Sequence, residues 1–444
     1  MRIPFLNEMT IRFDETGVNM ESNIQKIKAT IEKNKNDYIG FLSNYIQIDS
    51  TNPSLAQNSN PLVCHKWMQE KLSSYGIFNH VDFWESGNGF SNVVAVLNGE
   101  GNPLLFAGHS DTVPVTETQR QEWRKDAGPW SGAVVDGKIY GRGASDMKAG
   151  CAAPLMAMHV LHSLGIKPRR SVYFSYVMSE ENGGREFGVD SIIARGYKAN
   201  ECIVMEPSNN LAIVPAIQGE FYFTITVHGL SYHIASRHHT LYPHGYTVDN
   251  VPGRNAIELA IEIIQELQRL EKELGQYILH PLTESGSTTI NISGIESKGI
   301  FSAGAEVCKI TGSMLYNPSI TQNEALEYFK NAIQRVVARN FWLKKHPPIV
   351  EIPYLLSMKP PVNVDIDYPL CEQLAESARA FDKEPVFESC LSTSDANYLQ
   401  DHGIVTITMG PGANEYGVHS IDEYVPVDAY LDAIGRYAYF LSKQ

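Results

Sequence analysis

Five apolar runs place the tightest limit on what this chain can fold into: "NVVAVL" (92–97), "LLFAGHS" (104–110), "SVYFSYVMSEEN" (171–182), "ECIVMEPS" (201–208) and "IVTITMGPG" (404–412). Runs this apolar read as strands buried on both faces. Longer segments separate most of them. One, "ASDMKAGCAAPLMAMHVLHSLG", reads as a helix with small residues at its start. Buried strands alternating with helices imply an α/β fold with a mostly parallel central sheet. Ahead of them, helix-period apolar residues run from about Ile24 to Ile48, after a loose extension of about 22 residues.

These strands end in residues that a core does not want. Burying a polar or charged group without partners costs several kcal/mol. Yet Leu104–Ala107 leads straight into His109 and Asp111, the third run ends in Glu180 and Glu181, and the fourth ends in Glu206. "GRGASDMKAG" puts Asp146 between a turn and a helix start, and "GPGANEYGVHSIDEY" offers His419. In open α/β sheets, ligands bind beyond the C-terminal ends of the strands. Taken singly, Asp146 reads as a helix N-cap, His419 as a surface histidine and Glu180–Glu181 as a solvated pair. Taken together, two imidazoles and three carboxylates match the donor set of a hydrolytic zinc centre. Two metals ~3.5–4 Å apart need about five protein ligands. The His109-x-Asp111 spacing puts both side chains on one face of the strand. Asp111 can there accept the proton of the His109 nitrogen that faces away from metal. Glu180 and Glu181 face opposite ways in extended backbone, so one can ligate while a local turn lets the other act on water.

The pattern changes near Gly219. "FYFTITVHG" (221–229) alternates at Phe221, Phe223, Ile225 and Val227, the mark of a half-buried antiparallel strand. A long amphipathic helix follows (255–274), then strands at 288–295 and 307–316 and a helix from about Asn323 to Trp342. This reads as an α+β unit, residues 219–343, inserted into a discontinuous main domain of residues 1–218 and 344–444. A helix near 427–442 closes the chain.

A formal net charge of −14 argues against a nucleic-acid partner, which needs clustered Lys and Arg. No apolar run approaches the ~18 residues of a membrane span, and the N-terminal stretch carries no signal-peptide pattern. Six cysteines without CxxC spacing read as reduced thiols, which points to a cytoplasmic protein. No GxSxG occurs and no cysteine lies in a recognisable nucleophile motif, so serine and cysteine hydrolase schemes gain no support.

"GHSDTVP", "GRGASDMKAG", "SEENGG", "MEPS" and "GPG…H…DEY" resemble, in the same order, the motifs of the co-catalytic zinc metallopeptidase family that includes acetylornithine deacetylase, succinyl-diaminopimelate desuccinylase, aminoacylase and the glutamate carboxypeptidases. The resemblance runs from about Asn23 to the end. It implies a zinc-peptidase-like catalytic domain with an inserted lid or dimerisation domain. It also implies two divalent metal ions, zinc with cobalt or manganese as alternatives. His109 and Glu206 would hold one metal, Glu181 and His419 the other, and Asp146 would bridge them. Glu180 would be the general base and Asp111 the support of His109. A histidine of the inserted domain that steadies the oxyanion corresponds to His233 in "VHGLSYHIAS", with His228, His238 and His239 nearby. The resemblance further implies a homodimer formed through the inserted domain.

One departure bears on the substrate. Many family members carry an arginine that grips a substrate carboxylate in a "GSxRxxP"-like strand, whereas this chain reads "GSMLYNP" with Leu315 at that place. The bidentate clamp is missing there. Asn291 matches a substrate-contacting position, Arg254 is an alternative carboxylate ligand, and Gly410 and Gly412 of the Gly-Pro-Gly loop are further substrate-binding candidates. The long loop after His233 is rich in His and Tyr. The expected function is a metal-dependent amide hydrolase that deacylates an N-acyl amino acid or N-acyl amine. The alternatives are a dipeptidase or carboxypeptidase and, from another class, a non-catalytic binding protein on the same fold.

Overall fold

The apolar runs lie in a sheet whose strands include β1 (His80–Gly87), β2 (Phe90–Leu97), β3 (Glu100–His109), β4 (Arg170–Val177) and β5 (Glu201–Val204), with Val405–Thr408 beside β5. Their order is β1-β2-β4-β3-β5. β3 lies between β4 and β5 and is parallel to both. The sheet is mostly parallel, as the sequence predicts, but not wholly so, because β2 runs antiparallel to β1 and to β4. β1 escaped the sequence reading because it is half-exposed and only weakly patterned. Its signal was the turn: Asn88 and Gly89 both have positive φ, 53° and 82°, as an Asn-Gly hairpin requires.

In the computed structural model, described for residues 20–56, 59, 61–241, 251–353 and 358–444, the chain divides into two units. The first comprises Met1–Ile213, Ile366–Val386 and Ile407–Gln444, and the second comprises Val214–Asp365 and Phe387–Thr406. Most of the expected N-terminal extension, and residues 242–250 of the His- and Tyr-rich loop, lie outside the described residues.

In the first unit, the single helical run expected over 24–48 is two helices, α1 (Met20–Lys33) and α2 (Lys35–Ile46). Asn34 breaks them apart: its side-chain amide donates to the Thr30 carbonyl at 2.8 Å and so competes with the backbone ladder. α3 (Ala149–Ser163) packs against the C-terminal helix Val427–Lys443. The small residues at its start have a steric cause. A Cβ on Gly150 would lie 1.9 Å from the Met205 carbonyl oxygen, so only glycine lets α3 come this close to the end of β5. Gly108, just before His109, is equally confined, by Cys151, Met147 and Met205.

The second unit holds β6 (Gly219–His228), α4 (Ala256–Tyr277), β7 (Thr289–Glu296), β8 (Val307–Tyr316) and α5 (Gln322–Arg339). The strands pair antiparallel in the order β7-β8-β6. The alternating face of β6, Phe221, Phe223, Ile225 and Val227, is fully buried among α4 and α5 residues such as Leu267 and Phe329. The helix expected over 323–342 stops at Arg339, because Asn340 caps a new short helix by accepting from the Trp342 and Leu343 amides. Glu266, buried on α4, is held by Arg269, Arg335 and Arg339, so this interior charge is fully paired.

All six cysteines are free thiols. Among the described residues no helix is long and apolar enough to cross a membrane.

The strand that delivers His109 is anchored by Phe106, which is fully buried, stacks on Phe174 at 5.2 Å and meets the edge of Tyr437 at 5.4 Å. Phe106→Ala is expected to lower unfolding stability by about 3–5 kcal/mol in a urea titration, the usual cost of emptying such a site.

Candidate metal centre

The C-terminal ends of three adjacent strands deliver ligands to one place. His109 is the last residue of β3, Glu181 lies in the turn after β4, and Glu206 follows β5. The turn after β4 is closed by the Gly183 amide donating to the Glu180 carbonyl at 2.7 Å, so Glu180 and Glu181 sit in a turn and not in extended backbone. Asp146 is not a helix N-cap. It lies before α3 in a kinked segment, with φ −117° and ψ 96°, and the peptide after it is cis. His419 adopts a left-handed conformation, φ 59°, which is uncommon for a residue with a side chain and recurs at functional sites.

These placements make two groups with one residue in common: His109, Asp146 and Glu206, and Asp146, Glu181 and His419. Within each group the ligand atoms lie within 4.8 Å of one another. Asp146 offers one carboxylate oxygen to each imidazole. Its Oδ1 is 3.2 Å from His109 Nε2 and its Oδ2 is 3.2 Å from His419 Nε2. Glu206 Oε1 completes the first group at 3.4 Å from His109 Nε2, and Glu181 Oε2 the second at 3.2 Å from His419 Nε2.

His109 is held from behind, though not by the bond the spacing suggested. Its Nδ1 lies 2.9 Å from the Asp111 main-chain carbonyl, while the Asp111 carboxylate oxygen is 3.6 Å away. The Asp111 carboxylate is instead fixed by Asn52, whose amide donates to it at 2.6 Å, and by the Glu181 main-chain N–H at 3.2 Å. Asn52 also donates to Asn182, in the turn after β4. Sequence reading missed Asn52; its only signal was the turn-forming "STNPS" upstream of the first strand.

Four carboxylates meet two imidazoles here, in a largely buried site, and the titration of each group records the strain. Burial raises Glu206 well above the carboxylate range, with the charges of Asp146 and Glu180 adding to it. Burial and the Asp146 charge push Glu181 up to about 8, with a smaller contribution from Glu180. Burial opposes charge on His109, but Glu206, Asp111 and Asp146 outweigh it and hold the ring well above its usual value. Hydrogen bonds to Asp146 and Glu181 raise His419 to about 10. Burial would raise Asp146, yet hydrogen bonds from both imidazoles hold it far below the carboxylate range. Excess buried negative charge of this kind calls for cations. The donor set fits them: each group offers one imidazole nitrogen and two carboxylate oxygens, three protein ligands with a position left for water.

The remaining sequence candidates have other surroundings. A Cβ on Gly410 would come within 2.4 Å of the Met205 carbonyl and 2.5 Å of the Glu206 carbonyl, so this glycine lets the Gly-Pro-Gly loop lie against the strand end that carries Glu206. Gly412 has φ 101° and abuts the Ser145 hydroxyl. His233, Arg254 and Asn291 belong to the second unit. His233 is exposed and caps a short turn, its Nδ1 accepting from the Ala235 amide at 3.2 Å. Arg254 Nη1 donates to the Thr240 and Gly253 carbonyls. Asn291 is exposed on β7, opposite Ser313.

Imidazoles and carboxylates converging beyond the ends of parallel strands define an α/β protein with a candidate metal centre. The chain belongs to peptidase family M20/M25/M40, whose pattern matches residues 105–443. It is similar to N-formyl-4-amino-5-aminomethyl-2-methylpyrimidine deformylase of Halalkalibacterium halodurans, 28% identical over 418 residues that cover 91% of this chain and 94% of that one. It is also 28% identical to succinyl-diaminopimelate desuccinylase of Rhodospirillum centenum over 387 residues, 85% of this chain and 90% of that one. In fold it resembles aminopeptidase PepT of Bacillus cereus, with a TM-score of 0.70 and 19% identity, over 92% of this chain and 98% of that chain. The chain is thus a hydrolase of amide bonds.

The raised groups give the metal-free protein a pH signature. Stability from His419 is complete below its unfolded value, near 6.5, and is lost as pH rises through about 10. Ionising Glu181 costs stability as pH climbs from about 4.5 through 8. The Tm of chelator-treated protein should therefore fall between pH 6 and pH 10, and saturating divalent metal should flatten that slope in scanning calorimetry. A metal-free Tm that rises over this range would contradict the assignment.

Proposed function

We propose that this protein is a dinuclear metal-dependent deacylase of N-acylated amines that lack an α-carboxylate. One observation carries the metal part of the reading: Asp146 turns one carboxylate oxygen toward each of two imidazoles, each flanked by a further carboxylate. His109 and Glu206 hold one ion, Glu181 and His419 the other, and Asp146 is common to both. The ions are zinc, with cobalt or manganese as substitutes. Bound there, they supply Lewis acidity to the scissile carbonyl and make water a nucleophile near neutral pH.

The chain's own groups do the rest. Glu180, in the turn beside Glu181, takes a proton from the attacking water as the carbon–oxygen bond forms. It passes the proton to the nitrogen as the carbon–nitrogen bond breaks. Asp111 and its main-chain carbonyl orient the His109 ring. His233 steadies the developing oxyanion. Asn291, Arg254, Gly410 and Gly412 contact substrate. Residues 1–218 and 344–444 act as the catalytic domain and 219–343 as a lid through which two copies dimerise. The six free thiols support a cytoplasmic location.

The substrate class rests on Leu315. It stands in β8 between Thr289 and Glu220, where the resemblance leads one to expect an arginine, and it cannot pair with a carboxylate. The similarity to the pyrimidine deformylase supports the same reading, since the compound in that enzyme's name carries an N-formyl group and no carboxylate.

Amine release should be measured from N-formyl and N-acetyl aminomethyl heteroaromatics, N-acyl amino acids, their α-amides and dipeptides, with zinc present. Acylated amines without a carboxylate should be the best substrates. Cleavage confined to dipeptides would overturn the deacylase reading in favour of a peptidase. Glu180→Ala should lower kcat by roughly 10²–10⁴-fold, the span of general acid–base contributions, while metal analysis still finds two bound ions. Turnover at the wild-type rate would remove Glu180 from the mechanism.

A further inference from the structure

Glu423 lies near the site and belongs to neither ligand group. Its side chain and that of Arg142 are each 1% exposed, and Arg142 Nη1 donates to Glu423 Oε2 at 2.6 Å. The same oxygen accepts from the Gly143 main-chain N–H at 3.1 Å. The other, Oε1, accepts from the main-chain N–H groups of Ser145 at 3.0 Å and Asp146 at 3.1 Å. One carboxylate thus receives four donors, which fills its capacity. With both oxygens committed, it is available neither as a ligand nor as a base. What it does is collect the amides of the non-helical segment that presents Asp146. These amides lie in a kink before α3 and are buried donors that need acceptors.

The second arm of the pair reaches the other loop. Arg142 Nη2 donates to the Ser420 carbonyl at 3.0 Å, next to His419, and the Gly141 amide donates to the Glu423 carbonyl at 2.8 Å. That loop holds His419 and Asp422 in left-handed backbone, so it does not rest in its preferred conformation. The further tether on His419 itself is an exposed bond, from the Gln119 side chain to its carbonyl at 3.3 Å. The buried Arg142–Glu423 pair is therefore one fixed link between the segment carrying Asp146 and the loop carrying His419, beside the Ser145 hydroxyl, which donates to the Ala413 carbonyl and accepts from the Ala413 amide, both at 3.2 Å.

We infer that Glu423, through Arg142, is a positioning residue that sets Asp146 against His419 and so governs the affinity of the metal position those two share with Glu181. The inference rests on the dinuclear reading given above. In Glu423→Gln, one oxygen becomes an amide nitrogen that confronts N–H donors, and the segment loses half of its acceptors. In Arg142→Lys the charge is kept, but a single ammonium cannot span Glu423 and Ser420 as the guanidinium fork does.

The test is a titration of metal-free protein with Zn²⁺ against a competing chelator, in wild type and both variants, with unfolding curves recorded alongside. Wild type should take up two equivalents. In each variant both dissociation constants should rise, because Asp146 serves both positions, and the one for the position shared with His419 should rise at least ten-fold more than the other, while excess Zn²⁺ should return kcat toward the wild-type value. A residue that merely supports the fold would lower Tm without widening the ratio of the two constants. An unchanged ratio in a folded variant therefore overturns the inference while leaving the dinuclear site intact. Failure of wild type to bind zinc would overturn the dinuclear reading and the inference together.

Discussion

Everything around the centre answers one constraint: several carboxylates converge on Asp146 with too few cationic side chains to balance them. Two imidazoles, His109 and His419, meet four carboxylates from Asp111, Asp146, Glu181 and Glu206, and all but His419 are largely buried. Buried charge of one sign is tolerated only when compensated. The surrounding chain holds the ligands in place against this repulsion. Asn52 and the Glu181 amide fix Asp111, the Val113 amide holds Glu181, and Glu423 collects the amides beside Asp146.

The packing of the first unit serves the same end. Gly108 and Gly150 let sulfur-bearing side chains and α3 close against the strand ends, and Gly410 lets the last loop lie on the Glu206 backbone. A methyl group at any of these places would meet atoms at 1.9–2.7 Å. The cluster of glycines and alanines around the ligands is thus a steric condition for bringing three strands, a helix start and a loop to one point.

Much of this was legible in the linear chain, for identifiable reasons. β6 and β8 were readable because their faces alternate, and the buried side of β6 is the set Phe221, Phe223, Ile225 and Val227. The five ligand candidates were readable because each breaks an apolar run or opens a loop where a strand should end. Asn52 was not, because its contact with Asp111 joins residues 59 apart and leaves no local pattern. The Asn-Gly hairpin that creates β1 and turns β2 antiparallel was present in the sequence, but the half-exposed strand before it carried little periodicity.

The sequence by itself determined the type of fold, the places where strands end and the chemical identity of the donors, because these depend on local hydrophobicity and on which side chains can bind a metal. Only the tertiary structure decided which donors meet. It gave Asp146 one imidazole on each oxygen, put the Asp111 carbonyl rather than its carboxylate nearest the His109 ring, and enlisted Glu423 to hold the kink. Those outcomes depend on main-chain direction and on contacts between residues up to 281 positions apart, and neither is written in a run of neighbouring residues.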